Sequence, residues 1–248
     1  MKVSIITACY NSSATILDCI ESVNNQTYLD IEHIFIDGLS SDKTIDIIKS
    51  NSKRNPVILS ENDKGIYYAL NKGLSIVSGD IIGFVHSDDL ISSSSIIFEI
   101  VKKIKLESVD GLYGDLNYVD KMNTNKVIRF WKSQDFKDRL LFRGWMPAHP
   151  TLFLKKKIYE KYGNFDTSYM ISSDYDFMLR IFKINDLKFS YMPKVITEMR
   201  VGGISNHGVK NLIRKTKEDY RTIRSNKIGG MITVILKNTS KIKQFFFK

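Results

Sequence analysis

Cysteine and proline are scarce in this 248-residue chain: it has two cysteines and four prolines. Cys9 and Cys19 alone cannot build a disulfide framework, so stability must come from a core, and a reducing compartment suits the chain. With few prolines, no low-complexity segment and no internal repeat, nothing marks a linker within residues 1–206. No apolar run reaches the ~18 residues of a spanning helix. Met1-Lys2 leads straight into the short apolar run Val3–Ile6. That is not a secretory signal, and the expected location is the cytoplasm.

Acidic residues are scarce in one place only. The net charge is +10, but residues 207–248 carry 11 Lys and Arg against just Glu218 and Asp219. Residues 1–206 hold 26 basic and 25 acidic residues. A near-neutral body with a basic tail disfavours a whole-domain nucleic-acid surface. The apolar fraction of 43% and charged fraction of 26% are those of a globular protein. The length suits one large α/β domain or two small ones.

Strand and helix signals alternate through the first ninety residues. Val3–Thr7, Ile31–Ile36, Val57–Leu59 and Asp80–Val85 read as short buried strands. Residues 14–23, Ser41–Lys49 and Ile66–Val77 read as the helices between them. This alternation predicts a mostly parallel, Rossmann-like sheet flanked by helices, with ligands at the carboxyl ends of the strands. The polar clusters Thr7–Asn11, Asp37–Asp42, Glu61–Lys64 and Ser87–Asp89 all fall there. Further on, Ser94–Ile104 and Lys155–Tyr162 read as helices, and Gly111–Val119, Val127–Trp131, Thr151–Leu154 and Val195–Met199 as strands. Asp174–Ile184 reads as an amphipathic helix with Phe177, Met178, Ile181 and Phe182 inward.

Four clusters carry chemistry. Asp88-Asp89 follows a buried strand, and adjacent carboxylates repel unless a cation lies beside them. Mg²⁺ and Mn²⁺ take such oxygens and share them with phosphates. A turn and helix cap is the plainer role for the same pair. Asp37 can accept from a base N–H or a sugar hydroxyl, or merely close a strand–turn–helix junction around Gly38. Asp63 lies past a strand end, with Asn71 and Lys72 along the next helix. Asp174, in Ser173-Asp174-Tyr175-Asp176, stands at a helix N-terminus, where a carboxylate is stabilised ionised and can take a proton from an attacking hydroxyl, or, as the plainer role, simply cap the helix.

Together these motifs resemble family-2 glycosyltransferases of the GT-A fold. The resemblance rests on Ser4-Ile5-Ile6-Thr7, Tyr10-Asn11, Asp37-Gly38-Leu39-Ser40-Ser41-Asp42, Asp63-Lys64-Gly65-Ile66-Tyr67, Ser87-Asp88-Asp89 and Asp174-Tyr175-Asp176, in that order over residues 1–206. It implies a GT-A catalytic domain with a nucleotide-sugar half (1–90) and an acceptor half (91–206). It implies donor contacts from Thr7, Tyr10, Asn11, Asp37, Asp63, Lys64, Asp88 and Arg200. Asp89, Asp88 and His207 would meet a divalent metal, Mn²⁺ or Mg²⁺. Asp174 would be the general base, and His149, Trp145 and Asp176 would meet the acceptor. Two positions depart from the family pattern: many relatives have Asn or Asp where this chain has His86, and Asp where it has Tyr68.

The tail, residues 207–248, reads as a basic amphipathic extension. Leu212, Ile213, Thr216, Tyr220 and Ile223 share one helical face, and Lys210, Arg214, Lys217, Arg221 and Arg224 cover the rest. Such a segment suits an anionic membrane surface. By resemblance, the expected enzyme is a bacterial surface-polysaccharide glycosyltransferase, peripheral on the inner face of the cytoplasmic membrane. It would move galactose or glucose from a UDP-sugar to GlcNAc-diphosphate-undecaprenol with inversion, giving a β linkage, as in O-antigen assembly. No nucleic-acid partner is expected. The alternatives are a metal-dependent nucleotidyltransferase, which the lack of a Gly-rich basic loop after the first strand disfavours, and a non-catalytic membrane-binding module.

Overall fold

The computed structural model describes residues 1–202 and 209–240. Strands β1 (Val3–Cys9) and β2 (Ile31–Asp37) are buried along almost their whole length. Such strands need cover on both faces, which helical crossovers between parallel strands supply. β1 pairs in parallel with β2 and β4 (Ile81–Phe84), and β2 with β3 (Val57–Ser60). Helices α1 (Ile16–Asn24), α2 (Thr44–Asn51) and α3 (Ile66–Ile76) make the crossovers.

Side chains alternate between the two faces of a strand, and the core divides accordingly. Ile6, Ile34, Ile36 and Phe84 meet Leu70 and Leu74 of α3. Val3, Ile5, Phe35 and Ile81 meet Ile16, Ile20 and Val23 of α1 on the other face. The register sets Cys9 beside Asp37 and Asp37 beside Ser60, so the polar clusters share one edge.

The second half supplies β5 (Asp89–Ile91), α4 (Ile96–Glu107), β6 (Gly111–Val119), β7 (Val127–Trp131), β8 (Phe153–Lys155), α5 (Lys156–Tyr162), α6 (Ser173–Phe182) and β9 (Phe189–Arg200). The sheet order is β3-β2-β1-β4-β8-β6-β9-β5, with β7 also on β6. Beyond β4 the sheet is mixed: β8 is antiparallel to β4 and β6, and β9 is parallel to β6. Two elements differ from the sequence reading. The segment after Asp88 is not a turn and cap but strand β5, antiparallel to β9, with Asp89 opposite Met199. β9 starts six residues earlier than expected and runs through Pro193. The register against β6 jumps from Gly114↔Met192 to Asp115↔Val195, so Pro193 sits in a bulge, where its missing N–H costs no ladder bond.

The tail also differs. Helices α7 (Val209–Ser225) and α8 (Met231–Ser240) fold back on the body, and Ile223, Ile228 and Val234 join the same core as Phe177 and Phe182. Residues 209–240 are therefore an extension packed on the body. The inward face of α7 also differs from the expected apolar stripe. Asp219, Thr222, Ile223 and Asn226 are buried, whereas Leu212 and Ile213 are 63% and 52% exposed. Asp219 and Lys237 of α8 form a fully buried ion pair at 2.7 Å. Lys237 Nζ also lies 3.3 Å from the centre of the Tyr175 ring. α8 packs close over Gly144, where a Cβ would stand 2.5 Å from Lys237 Cβ.

Removing one partner of a buried ion pair leaves the other charge uncompensated. Asp219→Ala is expected to lower unfolding free energy by about 3–5 kcal/mol. A shifted denaturant midpoint in a single transition measures this, and an unchanged midpoint would mean the hairpin is not packed on the body.

Candidate active site

The site is built from loops at the carboxyl ends of β1 to β4, closed by the start of α6. Two of these loops are stitched together. Asn11, in a left-handed conformation (φ 47°), accepts from the Ser41 backbone N–H at 2.9 Å, and the Asn11 N–H donates to Ser40 Oγ at 2.8 Å. Ser12 and Ser13 donate to Thr44 Oγ1 and Asp42 Oδ2. Hydrogen bonds from Thr44 and Ser13 hold the Asp42 carboxyl well below its usual range. Tyr10 is 65% exposed at the tip of β1 and lies over Gly38, where a Cβ would come 3.4 Å from its ring. An exposed aromatic face on a rigid loop suits stacking with a flat ligand.

Other donor-side residues are already engaged. Thr7 is fully buried, its hydroxyl donating to the Val85 carbonyl at 2.6 Å and lying 2.9 Å from His33 Nε2. It braces the sheet and lines no surface. Asp37 is also fully buried and accepts from the Ser40 N–H and hydroxyl and the Ser60 hydroxyl. Its carboxylate organises the turn and does not reach outward. Asp63 pairs with Lys72 at 2.5 Å, while Lys64 is exposed. Arg200, on the last residue of β9, is nearly buried. It donates to the Asp88 carbonyl at 2.8 Å, to the Lys121 carbonyl at 3.2 Å and to the Asp18 carboxylate. It fixes the loop that presents Asp88 rather than offering a free guanidinium. His207 lies outside the described residues.

Asp89 is the anomaly. It is 1% exposed, and neither carboxylate oxygen has a hydrogen-bond partner. Burial pushes its carboxyl well above the usual range, repulsion from Asp88 adds to the rise, and Arg200 opposes it. An orphaned buried carboxylate needs an explanation. Two unpartnered oxygens beside a half-buried second carboxylate fit a hard divalent cation. Among the described residues no three His, Cys, Asp or Glu side chains cluster as a complete ligand set. Water and phosphate oxygens are the further ligands such a cation takes.

The side expected to meet the acceptor includes Asp174, in the first turn of α6 and half-buried. Tyr67 of α3 places its hydroxyl 3.1 Å from Asp174 Oδ1 and 2.6 Å from the Ile171 carbonyl. Burial and the neighbouring carboxylate push that phenol well above its usual range, so it stays a donor. His86, at the end of β4, feels both Asp88 and Asp174, yet burial pulls it below the ordinary histidine range. His149 is pulled down to about 4 by burial, against the Asp174 charge. Its ring centre lies 6.2 Å from that of His86 and 5.1 Å from that of Phe84. His86 Nδ1 and His149 Nε2 are buried and unpartnered. Two carboxylate groups and two neutral imidazoles thus gather where the halves of the chain meet. Tyr68 is 37% exposed on α3.

Two acceptor-side expectations take other roles. Trp145 stacks with Phe136 and meets Tyr113 and Phe182 edge-on, a core cluster. Asp176 is buried and bound to Arg180 at 2.8 Å and to Asn226 at 2.9 Å, which ties α6 to α7. Sequence reasoning missed Tyr67, which stands in a quoted motif, and Glu218 with Asp219, which hold the approach to α6. The signal for the last two was their position as the only acids in a strongly basic tail.

The profile of the family described as "Glycosyl transferase family 2" matches residues 4–163. A "PGL/p-HBAD biosynthesis glycosyltransferase" of Mycobacterium tuberculosis is 29% identical over 94% of this chain and 88% of its own length. The fold is similar to that of S. aureus TarS 1-349 in complex with UDP-GlcNAc, with a TM-score of 0.71 at 18% identity, over 91% of this chain and 65% of that one. It is also similar to the mannosyltransferase PcManGT from Pyrobaculum calidifontis in complex with GDP-Man and Mn²⁺. There the TM-score is 0.64 at 17% identity, over 90% of this chain and 63% of that one.

A buried, unpartnered charge destabilises its own fold. Asp89→Asn is therefore expected to hold or raise the melting temperature while Mn²⁺ binding, followed by paramagnetic relaxation, is lost. A lowered melting temperature with unchanged Mn²⁺ binding would show that Asp89 is structural.

Proposed function

The chain belongs to Glycosyl transferase family 2, and we propose that it is an inverting enzyme that moves a hexose from a UDP-sugar to a lipid-linked diphosphate sugar. The observation that carries this reading is that the charges of Asp88 and Asp174 both reach His86. One carboxylate group lies at the donor edge, and the other opens α6 on the acceptor side. Such a division suits a single displacement, with leaving group and nucleophile on opposite faces of the sugar.

In this reading Tyr10 stacks on the nucleotide base, while Asn11 and Lys64 meet the donor at the exposed rim. Asp89, with Asp88, would hold a divalent cation, Mg²⁺ or Mn²⁺, which when bound stabilises negative charge on the departing diphosphate. Asp174 accepts the proton of the acceptor hydroxyl as its oxygen bonds to the anomeric carbon. The bond from that carbon to the diphosphate oxygen breaks, its electron pair leaves with UDP, and the configuration inverts. Tyr67 orients Asp174 by the hydroxyl contact at 3.1 Å. His149, buried and neutral, offers a nitrogen to the acceptor.

The donor sugar we propose is galactose or glucose. The acceptor we propose is GlcNAc-diphosphate-undecaprenol, in bacterial surface-polysaccharide assembly of the O-antigen type. None of the described helices is long and apolar enough to cross a membrane. Contact with the inner face of the cytoplasmic membrane would come from α8, where Met231, Ile232 and Ile235 are 54%, 75% and 54% exposed. Exposed Lys210, Arg214, Lys217 and Arg224 on α7 add attraction to anionic lipid.

A panel of UDP-, GDP- and dTDP-sugars with a synthetic GlcNAc-diphosphate lipid, read by mass spectrometry, tests the transfer. UDP-hexose turnover that stops in EDTA is expected; turnover unaffected by EDTA removes the metal. Asp174→Asn should cut kcat on the order of 100-fold or more while UDP affinity holds. Near-normal turnover would place the base elsewhere. The double variant Ile232→Ser/Ile235→Ser should weaken sedimentation with phosphatidylglycerol vesicles, and undiminished binding would rule out α8 as the contact.

A further inference from the structure

We propose that Glu218 of α7 is a positioning residue for the reaction: its carboxylate fixes the backbone from which α6 presents Asp174. This rests on the reading of Asp174 as the base. Residues Met170, Ile171 and Ser172 lead into α6, and their three consecutive N–H groups all point to one side chain. Glu218 Oε1 accepts from Met170 at 3.1 Å, and Oε2 accepts from Ile171 at 2.8 Å and Ser172 at 3.0 Å. Hydrogen bonds from N–H groups to an ionised acceptor are about twice as strong as neutral ones.

The next residue completes the clamp. Asp219 Oδ1 accepts from the Ser172 hydroxyl at 2.8 Å and from Lys237 Nζ at 2.7 Å. Arg221 donates to Ser168 Oγ at 3.0 Å and stacks 4.6 Å over Tyr169. From the opposite side, Tyr67 donates to the Ile171 carbonyl, and its oxygen lies beside Asp174 Oδ1. The 168–174 segment is thus gripped by α7 through its N–H groups and by α3 through its carbonyl. Asp174 lies two residues past the last N–H that Glu218 holds. Loss of Glu218 leaves these three N–H groups to water and frees the segment to turn about the Tyr67 contact. Among the described residues no hydrogen bond or ion pair joins Glu218 to the loops at β1 to β4, so a displaced Asp174 should impair the chemical step and spare nucleotide binding.

The experiment compares Glu218→Ala, Glu218→Gln and Asp174→Asn, using the donor and acceptor that turn over in the panel and UDP affinity measured separately. A base moved by about 1 Å costs on the order of 100-fold, so Glu218→Ala is expected to lose kcat by that factor. Its donor KM and UDP affinity should stay within about twofold of wild type, the pattern of an interaction felt only in the transition state. Glu218→Gln keeps an oxygen for Ile171 and Ser172 and should recover to within about tenfold of wild type. A purely structural residue would instead lower stability with kcat intact, and Glu218→Ala turning over like wild type overturns the proposal. Should Ala cost the fold, seen as lost UDP binding, Glu218→Asp decides. Its carboxylate is drawn back by one methylene, and a wild-type kcat would equally overturn the proposal. Asp174→Asn separates the two claims. If it remains active, the base reading fails; if it is inactive while Glu218→Ala is normal, only the positioning role fails.

Discussion

A buried carboxylate with no partner is costly, and the surroundings of Asp89 are arranged around that cost. Neither oxygen makes a well-formed hydrogen bond, the Arg200 backbone N–H only eases its charge, and Asp88 next to it adds repulsion. What holds it in place is backbone and not side chain: β5 is one short strand on β9, with Asp89 opposite Met199. Arg200, one residue further along β9, ties the Asp88 carbonyl to Asp18 of α1 and brings positive charge close without pairing Asp89. Buried charges are paired, metal-bound or neutralised, and only the first is closed to Asp89 among the described residues.

The parallel half of the fold was legible because its signals are local. β1 and β2 are short, mostly apolar runs, and Asp37, Asp63 and Asp88 punctuate the strand ends. Edge clustering followed from topology alone. β5 was not legible, since three residues pair only because β9 lies beside them. Pro193 hid the start of β9, because a bulge tolerates what a regular strand would not. For single side chains the limit was the direction in which each one points. Asp37 and Thr7 stand at the right edge, but their oxygens face inward to Ser40, Ser60 and Val85. Sequence spacing places a residue at a strand end and says little about whether its polar atoms are already taken.

The tail is the clearest case of a composition read correctly and placed incompletely. Its charge is concentrated as read, but two acids among 11 bases are internal anchors. Glu218 takes backbone N–H groups, and Asp219 takes Ser172 and Lys237. With these acids turned inward, the outer surface of the hairpin is more cationic than its net charge suggests. The hairpin serves two masters: a basic, apolar outside and a polar inside fastened to α6.

The buried Asp219–Lys237 pair also sets an order of events during synthesis. Domains fold largely from the N-terminus as the chain emerges. The loops that follow β1 to β4 emerge early. The backbone that carries Asp174 gains its last fastening only when Lys237 leaves the ribosome. A nascent chain whose β1 to β4 loops have emerged therefore still lacks the fastening of the segment that carries Asp174, so the two sides of the cleft are completed in sequence.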